Sequence, residues 1–335
     1  MEKIKVAVIG AGLIGQTHAR TYSGYDKCEL VSVCDLDEKR AKEIARKYGC
    51  SYATDSREIA DNTEIRAVSV VTPDFAHYQP VLQMIEAGKD VLCEKPLAMD
   101  VAEAEEMVSR AREKGVRLMV DFQNRWNFPF LQAKKEIESG TLGDPLVGYV
   151  RLSNPFFVPL KMLSWAARSG PEWFLLPHLI DLIRWLINQE AEEIYAVGNK
   201  GVLKSVGVDV FDTVQAMIRF KTASVVFEAA WILPDSWPSL VDFKVDLLGT
   251  KGKISIKGDH QGIDIAGDKF RYPFVLAEQN AFGKTVGFFQ EPIIHFIDSI
   301  YYGKEPDVSG EDGLAVTKII AAILRSIEEK KVVRL

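Results

Sequence analysis

The fold is decided near the N-terminus by the stretch Val6-Ala7-Val8-Ile9-Gly10-Ala11-Gly12-Leu13-Ile14-Gly15. In it an apolar, strand-forming run leads into three glycines spaced G-x-G-x-x-G, and a helix-compatible segment from Leu13 to Tyr22 follows. Gly10 permits a tight turn, Gly12 lets the backbone approach a pyrophosphate, and Gly15 lets the helix lie close to the strand. The helix N-terminus offers N–H groups and a positive dipole end to phosphates. The stretch therefore predicts the strand, turn and helix of a dinucleotide-binding βαβ unit.

An acidic residue at the end of the second predicted strand completes this pattern. The strand Leu30-Val31-Ser32-Val33-Cys34 ends at Asp35, twenty positions after the last of the three glycines, where a carboxylate accepts hydrogen bonds from the adenosine ribose. Asp35 is alternatively a cap for the predicted helix Glu38 to Tyr48, but the glycines and the spacing favour the ribose role. Lys39 and Arg40 are interpreted as a solvated helix face, because Asp35 would repel a 2′-phosphate. The cofactor is therefore predicted to be NAD in preference to NADP.

Length and composition restrict the class of protein. A chain of 335 residues, 47% of them apolar, suits two domains with separate cores. The net charge of -6, with no long basic stretch, argues against a nucleic-acid partner. The most apolar segment, from Phe174 to Ile187, is interrupted by a histidine and two charged residues, so no membrane span is expected. No signal peptide is expected, and four cysteines without metal-ligand spacing predict reduced thiols, no metal centre and a cytoplasmic location.

Strands and helices alternate through residues 1–122, which predicts a Rossmann domain with a doubly wound parallel sheet. In such sheets ligands bind beyond the carboxyl ends of the strands. Five residues lie at the carboxyl ends of the predicted strands: Gly10, Asp35, Thr72, Lys95 and Asp121. Lys95 is thereby placed beside the expected nicotinamide end of the dinucleotide, and Pro96 rigidifies its loop.

Residues 123–335 follow a different pattern, with several strand-like segments and few helices between them. This pattern predicts an α+β domain with a large, mostly antiparallel open sheet. The predicted strand around residues 213–219 has apolar residues on both of its faces. Because one face packs on the domain's own helices, the other indicates self-association.

Several motifs resemble those of the Gfo/Idh/MocA family of NAD(P)-dependent oxidoreductases over essentially the whole chain. Besides the glycine-rich stretch, they are Thr72-Pro73 with His77, Gly88-Lys89 before Glu94-Lys95-Pro96, and Gly249-Thr250-Lys251-Gly252. The resemblance implies that Lys95 contacts the substrate hydroxyl and assists proton transfer. It implies a cofactor site that consists of Gly10, Gly12, Leu13, Ile14, Gly15, Asp35, Thr72, Pro73, His77, Glu94 and Lys95. It also implies dimers or tetramers that form through the sheet of the second domain.

In this family a helix of the second domain carries the motif D-x-x-x-H, whose histidine is the usual general base. The resemblance aligns His178 with that histidine, but Phe174 stands at the position of the aspartate. An imidazole titrates near neutrality and is able to take a hydroxyl proton as hydride leaves the same carbon; without the resemblance, His178 reads as a core residue. Asp181 is a candidate to orient the ring or to make a structural hydrogen bond. Glu172 and Asp121 are candidates to replace the missing carboxylate.

Polar and aromatic side chains that suit a polyol surround His178 in the sequence. A sugar needs hydrogen-bond partners for its hydroxyls and a flat apolar surface for its C–H face, although each tryptophan is explained equally well as a core residue. Arginines would instead favour an acidic sugar, because guanidinium pairs well with carboxylate. The candidate substrate residues are Arg125, Trp126, Trp165, Arg168 and Asp181.

The predicted function is that of an NAD-dependent dehydrogenase of a sugar, cyclitol or related polyol. Because Phe174 stands at the aspartate position, two alternatives stay open. One is an enzyme that uses bound NAD transiently to cleave glycosidic bonds, and the other is a non-enzymatic sensor that binds dinucleotide. Net reduction of free NAD distinguishes the dehydrogenase from both alternatives.

Overall fold

The computed structural model describes residues 2–282 and 284–335. The chain divides into two compact units, Met1–Gln123 with Asn280–Thr317 and Asn124–Gln279 with Lys318–Leu335. The first unit therefore includes Asn280–Thr317, which the sequence pattern assigns to the second domain. Within the described residues, no helix has the length and apolarity needed to cross a membrane.

Helices and strands alternate in the first part of the chain, and strands dominate its middle. The strands are β1 (Ile4–Ile9), β2 (Cys28–Cys34), β3 (Ser51–Ala53), β4 (Ala67–Val70), β5 (Asp90–Glu94), β6 (Leu118–Asp121), β7 (Pro145–Pro155), β8 (Ala191–Asn199), β9 (Thr213–Phe220), β10 (Ser224–Leu233), β11 (Asp242–Gly249), β12 (Lys253–Lys257), β13 (Ile265–Ala266), β14 (Phe270–Arg271), β15 (Gln279–Ala281), β16 (Lys284–Val286) and β17 (Val333–Arg334). The helices are α1 (Leu13–Gly24), α2 (Glu38–Tyr48), α3 (Ser56–Asp61), α4 (Tyr78–Glu86), α5 (Val101–Lys114), α6 (Phe128–Glu138), α7 (Pro171–Phe174), α8 (Leu176–Ile187), α9 (Val202–Ser205), α10 (Glu291–Tyr301) and α11 (Gly310–Glu329).

The first unit is built on a six-stranded sheet in the order β3-β2-β1-β4-β5-β6, in which every pairing is parallel. All residues of β4 and β5 are buried, as expected for strands with helices on both faces of the sheet. The predicted doubly wound parallel sheet is confirmed. Its carboxyl edge carries the glycine-rich turn after β1, Asp35 after β2, Lys95 after β5 and Asp121 at the end of β6.

Helix α10 explains why Asn280–Thr317 belongs to the first unit. It packs against α1, β5 and β6. Its residue Asp298 accepts hydrogen bonds from Lys27 at 2.8 Å and from the Tyr25 hydroxyl at 2.6 Å. An amphipathic pattern shows that a helix has a buried face but not which surface covers that face. The sequence therefore predicts that this helix forms, but not which surface it packs against.

The second unit contains a seven-stranded sheet in the order β12-β11-β7-β10-β9-β8-β17. β7 and β10 run parallel and the other described pairings are antiparallel, which confirms the predicted mostly antiparallel sheet. Helix α8 packs against β7 and β10, and α7 against β9 and β10. Along β9, Val214, Ala216 and Ile218 are buried, whereas Met217 and Arg219 are exposed. One face of the sheet is thus covered by helices, and the other carries exposed side chains.

Candidate active site

The glycine-rich turn between β1 and α1 has the geometry of a pyrophosphate cradle. Gly10 has a φ of +103°, and a Cβ there would lie 2.3 Å from the carbonyl oxygen of Val71. A Cβ on Gly15 would lie 1.9 Å from the carbonyl oxygen of Gly10, so neither position accepts a larger residue. A Cβ on Gly12 would meet no atom of the described residues within 4 Å. Gly10 and Gly15 are thus required for chain packing, while Gly12 borders open space that a ligand can enter.

Helix α1 begins at this open space. Its N-cap is Gly12, which has no side chain to accept the first-turn N–H groups. Leu13 and Ile14 in the first turn are 67% and 40% exposed. First-turn amides without a side-chain cap, together with the helix dipole, favour an anion at this point. The turn, the helix end and the two exposed apolar side chains fit a dinucleotide.

Asp35 lies beside the glycine-rich turn. Its carboxylate accepts hydrogen bonds from the backbone N–H groups of Ala11 and Asp37, both at 2.8 Å. The alternative role as a cap for α2 is filled by Asp37, which is the N-cap and accepts from the Arg40 N–H at 3.2 Å. The two backbone bonds therefore fix the Asp35 carboxylate at the end of β2, where the sequence predicts an adenosine ribose.

His77 links the loops that follow β4 and β5. Its Nδ1 lies 2.7 Å from the Pro96 carbonyl oxygen, and its Nε2 lies 2.9 Å from the Thr72 carbonyl oxygen. Each ring nitrogen thus faces a backbone carbonyl oxygen. The Thr72 hydroxyl donates to the Ala76 carbonyl oxygen at 2.9 Å and closes the first loop. Through His77, the predicted Thr72-Pro73 segment is joined directly to the turn that carries Lys95.

Next to Lys95 lies a buried group that we call the charged cluster, formed by His18, Glu94 and Asp121. The Nε2 atom of His18 lies 3.5 Å from an Asp121 oxygen and 3.8 Å from a Glu94 oxygen. On its other side, His18 Nδ1 lies 2.9 Å from the Ser69 hydroxyl oxygen. The backbone N–H of Lys95 donates to the Glu94 carboxylate at 3.1 Å. The charged cluster thus connects α1 and the ends of β5 and β6 to the turn that begins at Lys95.

Burial and mutual attraction set the ionisation of the charged cluster. Burial disfavours a charged imidazole, but the two carboxylates outweigh it and raise the pKa of His18 to about 9. Burial raises the pKa of Asp121 to about 6, and the neighbouring Glu94 charge adds to the effect. Burial also opposes ionisation of Glu94, but His18 and Lys95 outweigh it and lower the pKa of Glu94. At neutral pH the charged cluster therefore holds an imidazolium between two carboxylates.

The three side chains of the charged cluster are also of types that bind metal ions, and their ligand atoms lie within 4.8 Å of one another. The contact that the structure gives this group beyond its own members and Ser69 is the Lys95 backbone N–H, which donates to Glu94. We therefore assign to the charged cluster the role of anchoring the Lys95 turn. His18 and Ser69 are not among the predicted site residues. The sequence feature that could have identified His18 is its position three residues after Gly15, on the face of α1 that is buried.

In the second unit, Arg125 and Asp181 form a buried ion pair. Nε and Nη2 of Arg125 donate to the two Asp181 oxygens at 3.0 and 2.6 Å. The two residues are only 9% and 1% exposed. This bidentate pair anchors α8. Arg125 thus binds both oxygens of Asp181, the residue proposed to orient His178. The other predicted substrate residues are the half-buried Trp126 and Trp165 and the exposed Arg168.

His178 is half-buried in the first turn of α8, four residues after Phe174. Phe174 is the last residue of α7 and is also half-buried. The centre of its ring lies 5.9 Å from that of Trp165 and 5.6 Å from that of Trp231. Phe174, which the resemblance places at the aspartate position of the motif, is thus part of an aromatic group.

The two carboxylates proposed as replacements for that aspartate lie in different units. Asp121 belongs to the charged cluster of the first unit. Glu172 is buried in α7, and its carboxylate lies where a Cβ on Gly170 would be only 2.3 Å from it. Gly170 thus makes room for the Glu172 carboxylate at the start of α7.

Comparison with known protein families agrees with this geometry. A family model described as an oxidoreductase family with an NAD-binding Rossmann fold matches residues 4–122. A second model, described as the GFO/IDH/MocA C-terminal domain, matches residues 130–255. Together the two models match more than half of the chain.

Relatives and solved structures match over nearly the whole length. The chain is 28% identical to a myo-inositol 2-dehydrogenase of Thermotoga maritima, over 99% of this chain and 98% of that protein. It is 28% identical to an inositol 2-dehydrogenase of Rhizobium meliloti, over 98% of each chain. A crystal structure of a probable dehydrogenase from Thermotoga maritima superimposes with a TM-score of 0.84 at 27% identity, and the match covers 99% of this chain and 98% of that one. The likeness extends over both units.

Proposed function

Because the chain belongs to the Gfo/Idh/MocA family of oxidoreductases, we propose that it is an NAD-dependent dehydrogenase of a cyclitol, sugar or related polyol. The observation that carries the proposal is the open cradle at Gly12 with the Asp35 carboxylate fixed beside it. The inositol 2-dehydrogenases that match along nearly the full length support the same class of substrate.

The proposed reaction removes a hydride from a carbon and a proton from its hydroxyl oxygen. Bound NAD supplies the hydride acceptor, a chemistry that amino-acid side chains lack. Gly12 and the N-terminus of α1 hold the pyrophosphate, and Asp35 holds the adenosine ribose. The residues proposed to line the remainder of the cofactor are Leu13, Ile14, Thr72, Pro73, His77 and Glu94.

We assign the proton chemistry to Lys95 and His178. The Lys95 ammonium binds the substrate oxygen and stabilises negative charge that develops there. The charged cluster holds the Lys95 backbone in place through Glu94. His178 accepts the hydroxyl proton as the hydride leaves. The residues proposed to contact or support the substrate are Arg125, Trp126, Trp165, Arg168 and Asp181.

Asp35 supports a preference for NAD over NADP. Its carboxylate would repel the additional 2′-phosphate of NADP. Arg40 is the nearby cation that could attract such a phosphate, but it pairs with Asp37 at 3.2 Å and lies 3.7 Å from Asp35. Two carboxylates thus compete with a phosphate for this guanidinium.

We further propose a cytoplasmic homodimer or homotetramer. The uncovered face of the second-unit sheet presents several exposed apolar residues, among them Val147, Tyr195 and Met217. Such a surface is suited to a second copy of the same chain. The four cysteines are free thiols, as expected for a reducing compartment.

The test is NAD and NADP reduction against a panel of cyclitols, sugars, sugar acids and open-chain polyols. Wild type is compared with Lys95→Ala and with Lys114→Ala, an exposed lysine of α5, as the matched control. We expect NAD to be reduced, and turnover to fall about 100-fold or more in Lys95→Ala with NAD affinity retained. The Lys114→Ala variant should keep the wild-type rate. If NAD binds but no compound reduces it, the dehydrogenase proposal is wrong, and cleavage of glycosides without net reduction would favour the alternative enzyme.

A further inference from the structure

One buried side chain outside the charged cluster contacts the Lys95 turn, the segment Glu94-Lys95-Pro96 at the end of β5. This side chain is His77, which is 1% exposed. Its Nδ1 atom lies 2.7 Å from the Pro96 carbonyl oxygen, and its Nε2 atom lies 2.9 Å from the Thr72 carbonyl oxygen. The two carbonyls belong to the loops that follow β5 and β4. A single imidazole ring therefore bridges these two loops.

The contact with Pro96 bears directly on the position of Lys95. Proline has no backbone N–H, so the carbonyl oxygen is the backbone group through which Pro96 is hydrogen-bonded. On the other side of the turn, the Lys95 N–H donates to the Glu94 carboxylate at 3.1 Å. The backbone on either side of the lysine side chain is thus fixed by a different buried group. A displacement at Pro96 would also displace the Lys95 ammonium.

The His77 ring is itself held in place by the chain on which it lies. The His77 carbonyl oxygen accepts from the Val81 N–H at 3.0 Å, so the backbone of His77 is tied to the first turn of α4. The Thr72 hydroxyl donates to the Ala76 carbonyl oxygen at 2.9 Å and closes the loop below the ring. Both ring nitrogens lie within hydrogen-bonding distance of backbone oxygens. The polar atoms of the ring therefore serve the backbone of the protein.

We propose that His77 is a positioning residue for Lys95, and that it acts on the reaction through the Pro96 carbonyl and not through a hydrogen bond to the cofactor. This inference rests on the proposed function, in which the Lys95 ammonium contacts the substrate oxygen. A misplaced catalytic group slows the chemical step more than it weakens binding of the ground state. Loss of the His77 ring should therefore lower kcat while NAD still binds.

Three substitutions of His77 separate the two contacts of its ring. His77→Leu removes both polar atoms. The amide nitrogen of His77→Asn lies as many bonds from Cβ as Nδ1 does and is able to donate to Pro96, whereas that of His77→Gln corresponds to Nε2 and is able to donate to Thr72. His295→Leu is the matched control. The Nε2 atom of His295 also binds the backbone of the first unit, where it accepts from the Asp307 N–H at 2.9 Å.

NAD binding is measured by calorimetry, and NAD reduction is measured first with myo-inositol and then with the rest of the panel. For His77→Leu, kcat with the compound that wild type oxidises fastest should fall about tenfold or more, with the NAD dissociation constant within about threefold. His77→Asn should retain more of the wild-type kcat than His77→Gln, and His295→Leu should retain all of it. If His77→Leu does not fold, the comparison of His77→Asn with His77→Gln decides.

Two kinetic results would overturn the inference. One is loss of NAD affinity at unchanged kcat in His77→Leu, which would make His77 a cofactor-binding residue. The other is a kcat of His77→Gln equal to or above that of His77→Asn, which would show that the contact with Pro96 is not the one that matters.

A further measurement needs neither substrate nor cofactor. Lysines of the cofactor-free protein are acetylated with acetic anhydride, and the rate at each lysine is followed by mass spectrometry. Lys95 is only 8% exposed, and we expect it to react at least about threefold faster in His77→Leu than in wild type or His77→Asn. The exposed Lys114 should react equally in all of these proteins. Equal reaction of Lys95 in all of them would overturn the inference. If wild type oxidises no compound of the panel, the proposed function fails, and this labelling still tests whether His77 positions Lys95.

Discussion

At the scale of single residues, the most consequential side chain outside the predicted set is His18. It is 1% exposed and lies between two buried carboxylates of the charged cluster. Burying a charged imidazole costs free energy, and the two neighbouring carboxylates offset that cost. The stability of the first unit therefore depends on whether His18 is protonated.

We predict that His18→Gln destabilises the protein in a pH-dependent way. Its folded-state pKa of about 9 lies above the unfolded value of 6.5, so its stabilising effect is complete below pH 6.5 and is lost as pH rises through 9. Near pH 6 the loss should be about 3 kcal/mol in the free energy of unfolding, the size that this pKa difference implies. Urea unfolding of both proteins from pH 6 to 9.5 measures how this difference shrinks.

His295→Gln is the matched control for His18→Gln. His295 lies half-buried in α10, and burial lowers its pKa despite the nearby Asp307 and Asp298 charges. A lowered pKa means that its charged form does not stabilise the fold, so its effect on unfolding should not decline between pH 7 and 9.5. A constant His18→Gln effect over the same range would show that the imidazole is not the cation of the charged cluster.

The predictability of the site differs from residue to residue for physical reasons. Gly12 and Asp35 are predictable because cofactor chemistry fixes their spacing within one βαβ unit. The Arg125–Asp181 pair joins residues 56 positions apart, and no local pattern marks its partners. His18 meets Asp121 at the carboxyl edge of the parallel sheet. The sequence predicts that Asp121 lies at this edge, because it ends a strand, but it does not predict that a residue of helix α1 reaches the same point.

At the scale of elements, the β1–turn–α1 segment separates residues that serve folding from residues that serve binding. We predict that Gly12→Ala leaves the free energy of unfolding within about 0.5 kcal/mol of wild type, because the added Cβ meets no neighbour and φ is -69°. NAD affinity should fall at least about tenfold, since the methyl group enters the space in front of the α1 amides. Thermal unfolding and calorimetric titration with NAD measure the two effects.

Gly15→Ala is the comparison that makes this prediction specific. Its Cβ would lie 1.9 Å from the Gly10 carbonyl oxygen, so β1 and α1 must move apart and the protein should be destabilised by about 1–3 kcal/mol. If Gly12→Ala is as unstable as Gly15→Ala, the space beside Gly12 is needed for folding. If Gly12→Ala binds NAD as wild type does, the pyrophosphate lies elsewhere.

Some helix boundaries can be predicted from the local sequence and others cannot. Helix α2 is followed by the C-cap residue Gly49 and α5 by the C-cap residue Gly115, both in the left-handed conformation that such glycines adopt. These ends are local properties and are predictable from sequence. The apolar pattern predicts one helix from Trp173 to Ile187, and this prediction is wrong: the structure has two helices, α7 and α8, with Leu175 between them. The break precedes Pro177, which has no N–H to donate and suits the first turn of α8.

At the scale of the whole molecule, the two sheets were predictable because parallel and antiparallel sheets impose different sequence patterns. Alternation of helices with continuous apolar strands marks the first sheet, and alternating polar and apolar residues along strands such as β9 mark the second. The membership of Asn280–Thr317 was not predictable, because it depends on which surface covers an amphipathic helix. Patterns of burial are local, whereas the partner of a buried face is a property of the complete fold.

The uncovered face of the second sheet leads to the last prediction, which concerns assembly. Met217 of β9 pairs with Tyr195 of β8, and the two side chains are 53% and 41% exposed. Met217→Asp replaces exposed apolar contact area on this face by a carboxylate that would lose its hydration in an oligomer, so it should reduce the mass measured by light scattering to that of a smaller species. Leu131→Asp, a change at an exposed position of α6, should leave the wild-type oligomer intact. A wild-type monomer, or equal masses for wild type and Met217→Asp, would show that this face does not join copies of the chain.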